Sequence, residues 1–345
     1  MKNFWCEVDL QKISNNINKI RSGTSKKIMA VLKGNAYGLG IERVSEFLTP
    51  RVDCFAVTYF DEAHMVQSSK DILIMTPDYT DEDLRNSKKN FVLTIDDLGG
   101  AEKLTKSNQQ FRAHLYINTG MNRFGIHPDR LDAFMESMEK YQGKIKIEGF
   151  YTHLHNTNNK KFTLSQIELF SSCVGGLSHR AYNFHLLNSN GFVKFNKQCS
   201  FDNMIRVGGI LYGFDGLKQG YQKTYQFKAS PINVYQVEKG KNIGYGSFYK
   251  TPRDITVGIL DFGYIDKFYC PETIFDNKFL SLMGRVYYRY QYRKSITYHG
   301  KPVKILGSVN MNYTLVDMED LPEDSVFDVD ISPLAADSSV QKKYI

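Results

Sequence analysis

The chain contains little that would tie it to a disulfide scaffold, a membrane or nucleic acid. Its five cysteines (Cys6, Cys54, Cys173, Cys199 and Cys270) are odd in number, scattered, and never spaced as Cys-x-x-Cys. That pattern argues against a disulfide framework and against structural zinc, and it fits a reducing compartment. No apolar run approaches the roughly 18 residues a membrane span needs, so none is predicted. The opening residues, Met1 to Glu7, carry no apolar signal core, which makes the cytoplasm the expected location. Like charges are not blocked together, and a net charge of +7 over 345 residues is a mild excess. It suits a local site for phosphate or carboxylate better than a nucleic-acid partner. A Gly-x-Gly-x-x-Gly fingerprint is missing after the first strand-like run, which argues against dinucleotide binding.

What is present is core-forming material, 42% hydrophobic, in two textures. Strand-like segments at 28–33, 53–59, 72–76, 91–94, 111–118, 145–152, 183–188 and 204–207 alternate with helix-like ones. Residues 9–21 place Leu10, Ile13, Ile17 and Ile20 at helical spacing. Thr80-Asp81-Glu82-Asp83 is acidic, as at a helix start, and Thr163 to Gln166 has capping-box spacing. Eight strands in βα alternation fit a TIM-type (β/α)8 barrel, and a doubly wound sheet suits the same alternation. From about Tyr225 short β-branched and aromatic runs take over, at 231–237, 255–260, 279–292, 303–309 and 312–316. The fold class expected is therefore α/β, an α/β barrel over 1–222 followed by a mostly β domain over 223–345. The stretch 275–299, rich in tyrosine and arginine, reads as an inserted hairpin in preference to a stacking surface.

Lys33 ends the apolar run 27–32 and is followed by Gly34-Asn35-Ala36-Tyr37-Gly38, where the strand stops and the backbone turns. Strand ends of this kind carry the catalytic groups of barrels. A lysine there forms a Schiff base with a carbonyl compound if its amine is partly neutral. Other strand ends are similarly marked: Asn118-Thr119-Gly120-Met121-Asn122-Arg123, Tyr151-Thr152-His153-Leu154-His155, Asn188-Ser189-Asn190-Gly191 and Arg206-Val207-Gly208-Gly209. The β region adds Gly244-Tyr245-Gly246 and Gly307-Ser308-Val309-Asn310-Met311-Asn312. Taken singly, each has an ordinary explanation in core tyrosines, turn chemistry or surface charge. His153 and His155 share a strand face and could ligate a metal, but no further ligand cluster accompanies them, so no metal is expected.

In this order, the segments resemble the alanine racemase family, fold-type III pyridoxal-phosphate enzymes, from Trp5-x-Glu7-x-Asp9-Leu10 to the last residues. The resemblance implies a homodimer of barrel-plus-β-domain subunits. It implies that Lys33 holds pyridoxal 5'-phosphate and acts as one base, with Tyr245 of the partner subunit as the other. Tyr37, Ser189, Gly208 and Gly209 would bind the phosphate. Arg206 would lie against the pyridine nitrogen, with His153 beside it contacting the tyrosine. Arg123, Met311 and Tyr344 would meet the substrate. The implied reaction interconverts L- and D-alanine and, in a bacterium, supplies D-alanine for cell-wall peptide. A racemase of another amino acid such as serine, or a non-catalytic pyridoxal-phosphate-binding protein, is the alternative, and Tyr245 argues against the latter. The match departs at Tyr116, where members carry a lysine (often carbamylated) or an asparagine. It departs again at Asn118 and Asn312, each in place of an aspartate, and at Ser308, in place of a common arginine. These departures gather at the substrate channel and leave the cofactor anchor intact.

Overall fold

A computed structural model describes residues 2–177, 182–245, 249–268 and 295–345. It forms two compact units, Leu10–Thr224 and a second joining the residues up to Asp9 with Tyr225–Ile345.

The first unit is a parallel eight-stranded sheet of β1 (Lys27–Val31), β2 (Cys54–Val57), β3 (Ile72–Ile74), β4 (Phe91–Ile95), β5 (Phe111–Tyr116), β6 (Ile145–Tyr151), β7 (Asn183–His185) and β8 (Met204–Val207). Its order is β7-β6-β5-β4-β3-β2-β1-β8. The two ends meet through Asn203 N donating to Phe184 O at 3.1 Å and Arg206 N donating to Leu187 O at 2.9 Å. The sheet is thus a nearly closed barrel. Strands such as β2 and β4 are buried at every position, because helices cover one face and the barrel interior fills the other. The helix Leu10–Ser22 turns Ile13, Ile17 and Ile20 into the core, as its spacing predicts. Asp81–Arg85 starts after Thr80, whose hydroxyl accepts from Asp83 N at 3.1 Å.

Three local expectations are corrected. Thr163 to Gln166 lies inside the helix Lys160–Val174, whose cap is Asn159, accepting from Phe162 N at 3.1 Å. Thr163 instead donates backwards to Asn156 O at 3.0 Å, and Gln166 is spent on the barrel loops. The seventh strand stops at His185, because Asn188 caps a helix at Ser189–Phe195. In the β region, the run 303–309 is not a strand and contributes only a bridge between Ile305 and Val316.

The second unit holds a six-stranded sheet ordered Lys301–Pro302, Ile296–Tyr298, Phe327–Val329, Tyr225–Ala229, Phe4–Val8 and Gln341–Tyr344, plus a three-stranded sheet of Pro231–Val237, Ile255–Leu260 and Thr314–Asp317. The amino-terminal strand Phe4–Val8, grouped with the barrel in the sequence, pairs here with Tyr225–Ala229 and Gln341–Tyr344. Backbone pairing draws it away from its sequence neighbours. Phe4 stacks on Phe227 and Phe262 inside this unit. The expected strand 279–292 and most of 275–299 lie outside the described residues. Among the described residues no helix is long and apolar enough to cross a membrane.

Candidate active site

Because the eight strands are parallel, their carboxyl ends share one end of the barrel. Lys33 follows β1 there. Gly34, Asn35, Ala36 and Tyr37 all have positive φ (62°, 56°, 53° and 58°), one turn of left-handed helix. Such a turn costs about 1–2 kcal/mol for each residue with a Cβ, so it needs external support. The Glu62 carboxylate supplies it. Oε1 accepts from Gly34 N (2.5 Å) and Asn35 N (3.3 Å), while Oε2 accepts from Thr58 N (2.8 Å) and Tyr59 N (3.4 Å). Asn35 Oδ1 adds a bond from Ile41 N at 2.8 Å. Desolvation, then the field of Arg123, hold the Lys33 amine below the ordinary lysine value; Arg206 adds to this and Glu62 opposes it.

The left-handed turn throws Tyr37 back across the barrel mouth. Its ring lies 5.2 Å from Tyr212 and 5.6 Å from Phe214, and a Cβ on Gly208 would come within 2.3 Å of its hydroxyl. Gly208 is thus required for this approach. A Cβ on Gly209 would instead strike Asp215. Burial, reinforced by Asp215, pushes the Tyr37 phenol up to about 12, so it stays a donor. Ser189 Oγ accepts from Gly208 N at 3.1 Å and Ile210 N at 3.3 Å. A phenol, a serine hydroxyl and two backbone amides therefore meet in one cradle fit for an anion.

Arg206 is 3% exposed. Nη1 donates to His185 Nδ1 (2.6 Å) and His185 O (2.8 Å), and Nη2 to Thr152 O (2.7 Å). Nε has no hydrogen-bond partner among the described residues. His153 is driven down to about 3 by burial and then by Arg206, Arg123 and Lys33, so it is neutral. Tyr116, Tyr151 and His185 are opposite one another across β5, β6 and β7 and stack at 4.7 and 4.9 Å. Tyr116 is buried, and among the described residues its hydroxyl has no partner within hydrogen-bond geometry, although the Arg123 guanidinium is near enough to oppose the rise that burial gives its pKa. Arg123 is exposed, in a loop that Asn118 shapes by accepting from Gly120 N and Asn122 N at 3.1 and 3.0 Å. An aspartate could keep these two acceptor bonds but not the one Asn118 Nδ2 donates to Asn122 Oδ1 at 3.1 Å, so this departure changes both charge and a bond within the loop.

The structure thus brings Lys33, Tyr37, Arg123, His153, Ser189, Arg206 and Gly208 to one barrel end. Tyr245, Met311 and Tyr344 belong to the other unit. Tyr245 follows Gly244 (φ 74°) and is 74% exposed, Met311 is 65% exposed, and Tyr344 ends a strand opposite Val8. His155 packs edge-on against Phe162, and among the described residues no group of His, Cys, Asp and Glu is placed to hold a metal. Sequence reasoning did not reach Glu62 or His185. The spacing of Glu62 three residues after Tyr59 was the available signal for the first.

Residues 8–215 match the family described as alanine racemase, N-terminal domain, and residues 224–332 its C-terminal domain. An alanine racemase of Fusobacterium nucleatum is 29% identical over 334 residues, covering 93% of this chain and 88% of its own. One from Helicobacter acinonychis is 30% identical over 286 residues, 76% of each chain. Among solved structures, alanine racemase from E. faecalis superposes with a TM-score of 0.82 at 19% identity, over 100% of this chain and 98% of its own. That from Bartonella henselae, with covalently bound pyridoxal phosphate, gives 0.76 at 18% identity over 99% of both. These last two likenesses concern the fold.

Proposed function

This chain belongs to the alanine racemase family, and from that premise we propose that it is a pyridoxal-phosphate-dependent racemase interconverting L- and D-alanine. The observation that carries the reading is the desolvated Lys33 amine, flanked by Arg123 and Arg206, at the same barrel end as the cradle of Tyr37, Ser189 and Gly208. The residues present fit the cofactor. An amine held below the ordinary lysine value suits an aldehyde, the cradle suits a phosphate, and a buried guanidinium with an uncommitted Nε suits a ring nitrogen.

When bound, pyridoxal phosphate supplies the electron sink for negative charge at the amino-acid α carbon. Lys33 holds the cofactor and moves the α proton on one face of that carbon. Tyr245 of the partner subunit serves the other face, which makes the site composite and the enzyme a homodimer. Arg206 stays charged at any working pH and so hydrogen-bonds the ring nitrogen without protonating it. That weakens the sink and limits side reactions such as transamination. Neutral His153 is free to exchange a hydrogen bond with the tyrosine. Gly209 completes the phosphate loop, while Arg123, Met311 and Tyr344 contact the substrate. The barrel unit, Leu10–Thr224, carries the cofactor, and the β-rich unit that joins the residues up to Asp9 with Tyr225–Ile345 supplies groups to the partner's site. The protein works in the cytoplasm.

Serine is the second candidate substrate, favoured by the loss of charge at Asn118 and Asn312. Borohydride reduction of the purified protein with pyridoxal phosphate is expected to fix the label on Lys33, and Lys33→Ala to lose the imine absorbance. Labelling elsewhere refutes the assignment, and a serine rate above the alanine rate reverses the substrate order.

A further inference from the structure

Behind the candidate site, the barrel interior holds two buried histidines, His185 on β7 and His114 on β5. His185 Nδ1 lies 2.6 Å from Arg206 Nη1, and His185 Nε2 lies 2.8 Å from His114 Nδ1. A guanidinium has donors only. His185 must therefore accept at Nδ1, which places its proton on Nε2. That N–H donates to His114 Nδ1, so the His114 proton also sits on Nε2. The arginine dictates both tautomers. A second proton on either ring would set donor against donor inside the barrel.

The strands are shaped for this contact. Between Ala113 and His114 the β5–β6 register shifts, leaving Glu148 as an extra residue and setting His114 opposite Gly149. Bulges of this kind re-aim side chains. A Cβ on residue 149 would stand 2.8 Å from His114 Nε2, so glycine makes the room that the imidazole occupies. His114 also lines a cavity of about 220 Å3 with Cys54, Asp71 and Glu148, space enough to hold a water.

We propose that His114 is a positioning residue for Arg206. The one-way chain Arg206→His185→His114 and His185 O commit both N–H groups of Nη1, Thr152 O takes one of the two on Nη2, and the Nε–H is the donor offered to the cofactor. The purpose assigned to the chain rests on the racemase reading; the direction of its hydrogen bonds does not. Burial pushes both imidazoles down, His114 to about 4, so both stay neutral at working pH.

The test has two arms on the cofactor-loaded enzyme. In ring-15N-histidine spectra at about pH 7, His114 and His185 are expected as neutral Nε2–H tautomers; an Nδ1–H or charged ring for either overturns the proposal. In the second arm, His114→Phe removes the acceptor of His185. The expected result is a kcat about ten-fold lower, roughly one buried hydrogen bond, with KM less affected and a displaced pH titration of the imine absorbance. His114→Gln, which retains an acceptor oxygen, is expected to restore most of the loss. A folded His114→Phe enzyme with unchanged kcat and titration also overturns the proposal. If the variant does not fold, the wild-type spectra decide. Failure of borohydride to label Lys33 sinks the racemase reading and leaves the tautomers as they are.

Discussion

Burying a guanidinium is expensive unless its N–H groups are all spoken for. Arg206 offsets part of that cost with three of its five N–H groups, bonded to His185 Nδ1, His185 O and Thr152 O, and with the face of the Tyr151 ring at 5.1 Å. The acceptors are neutral, so the positive charge is left undiminished for a ligand. The same charge bears on His114. Desolvation is the main cause of its depressed pKa; Arg112 and Arg206 depress it further, and Glu148 and Asp71 oppose them. The ordinary histidine value is about 6.5, against about 4 in the folded protein. Between these values the unfolded chain holds a proton that the folded one does not. Stability is therefore expected to fall as pH drops from about 6.5, the loss being complete below about 4, on the order of 3 kcal/mol. His185, shifted in the same direction, adds to the effect. Urea unfolding of wild type and His114→Gln across this range checks the point, and identical pH slopes for the two proteins would contradict it.

Among the elements, the left-handed turn after Lys33 has the least intrinsic stability. Gly34 and Gly38 enter positive φ readily, but Asn35, Ala36 and Tyr37 do not. Glu62 therefore ties this turn to the loop after β2. Its spacing from Tyr59 reads in sequence as local helix capping; only the fold reveals that half of its bonds cross to another loop. Glu62→Gln keeps one acceptor oxygen and loses the other, leaving amides unpaired at about 1–3 kcal/mol. Removing the carboxylate also removes the one field that raises the Lys33 pKa, so the amine should titrate lower still. Urea unfolding and the pH dependence of Lys33 labelling measure the two effects separately. An upward shift of the labelling pKa would show that the carboxylate's field is not what Lys33 feels.

At the scale of the whole molecule, the exposure of Tyr245 and Met311 is what a composite site requires of groups awaiting another subunit. If each site takes Lys33 from one subunit and Tyr245 from the other, then Lys33→Ala and Tyr245→Phe are each nearly inactive alone. A mixed dimer of the two contains one intact site. Mixing them after partial dissociation is expected to recover about a quarter of wild-type activity, since random pairing makes half the dimers mixed. No recovery, with exchange shown by differently tagged subunits, would place both groups in one chain.

Much of this protein is readable from residue order alone. The alternation of apolar runs with amphipathic segments, the change of texture near Tyr225, and the polar clusters at strand ends are local patterns. Burial periodicity and turn chemistry act over a few residues, so they survive in one dimension. The strand-end clusters that hold Lys33, Tyr37, Ser189 and Arg206 stand out for that reason, while the roles proposed for these residues come from the family resemblance. The tertiary structure alone decided that Phe4–Val8 joins a sheet with strands more than 200 residues away. It decided that β7 and β8 bring the sheet to near closure, and that a one-residue slip opposite His114 aims an imidazole at His185. Such features depend on strand register and on the direction of hydrogen bonds between distant residues. Those are properties of partners, and a partner exists only after the chain has folded.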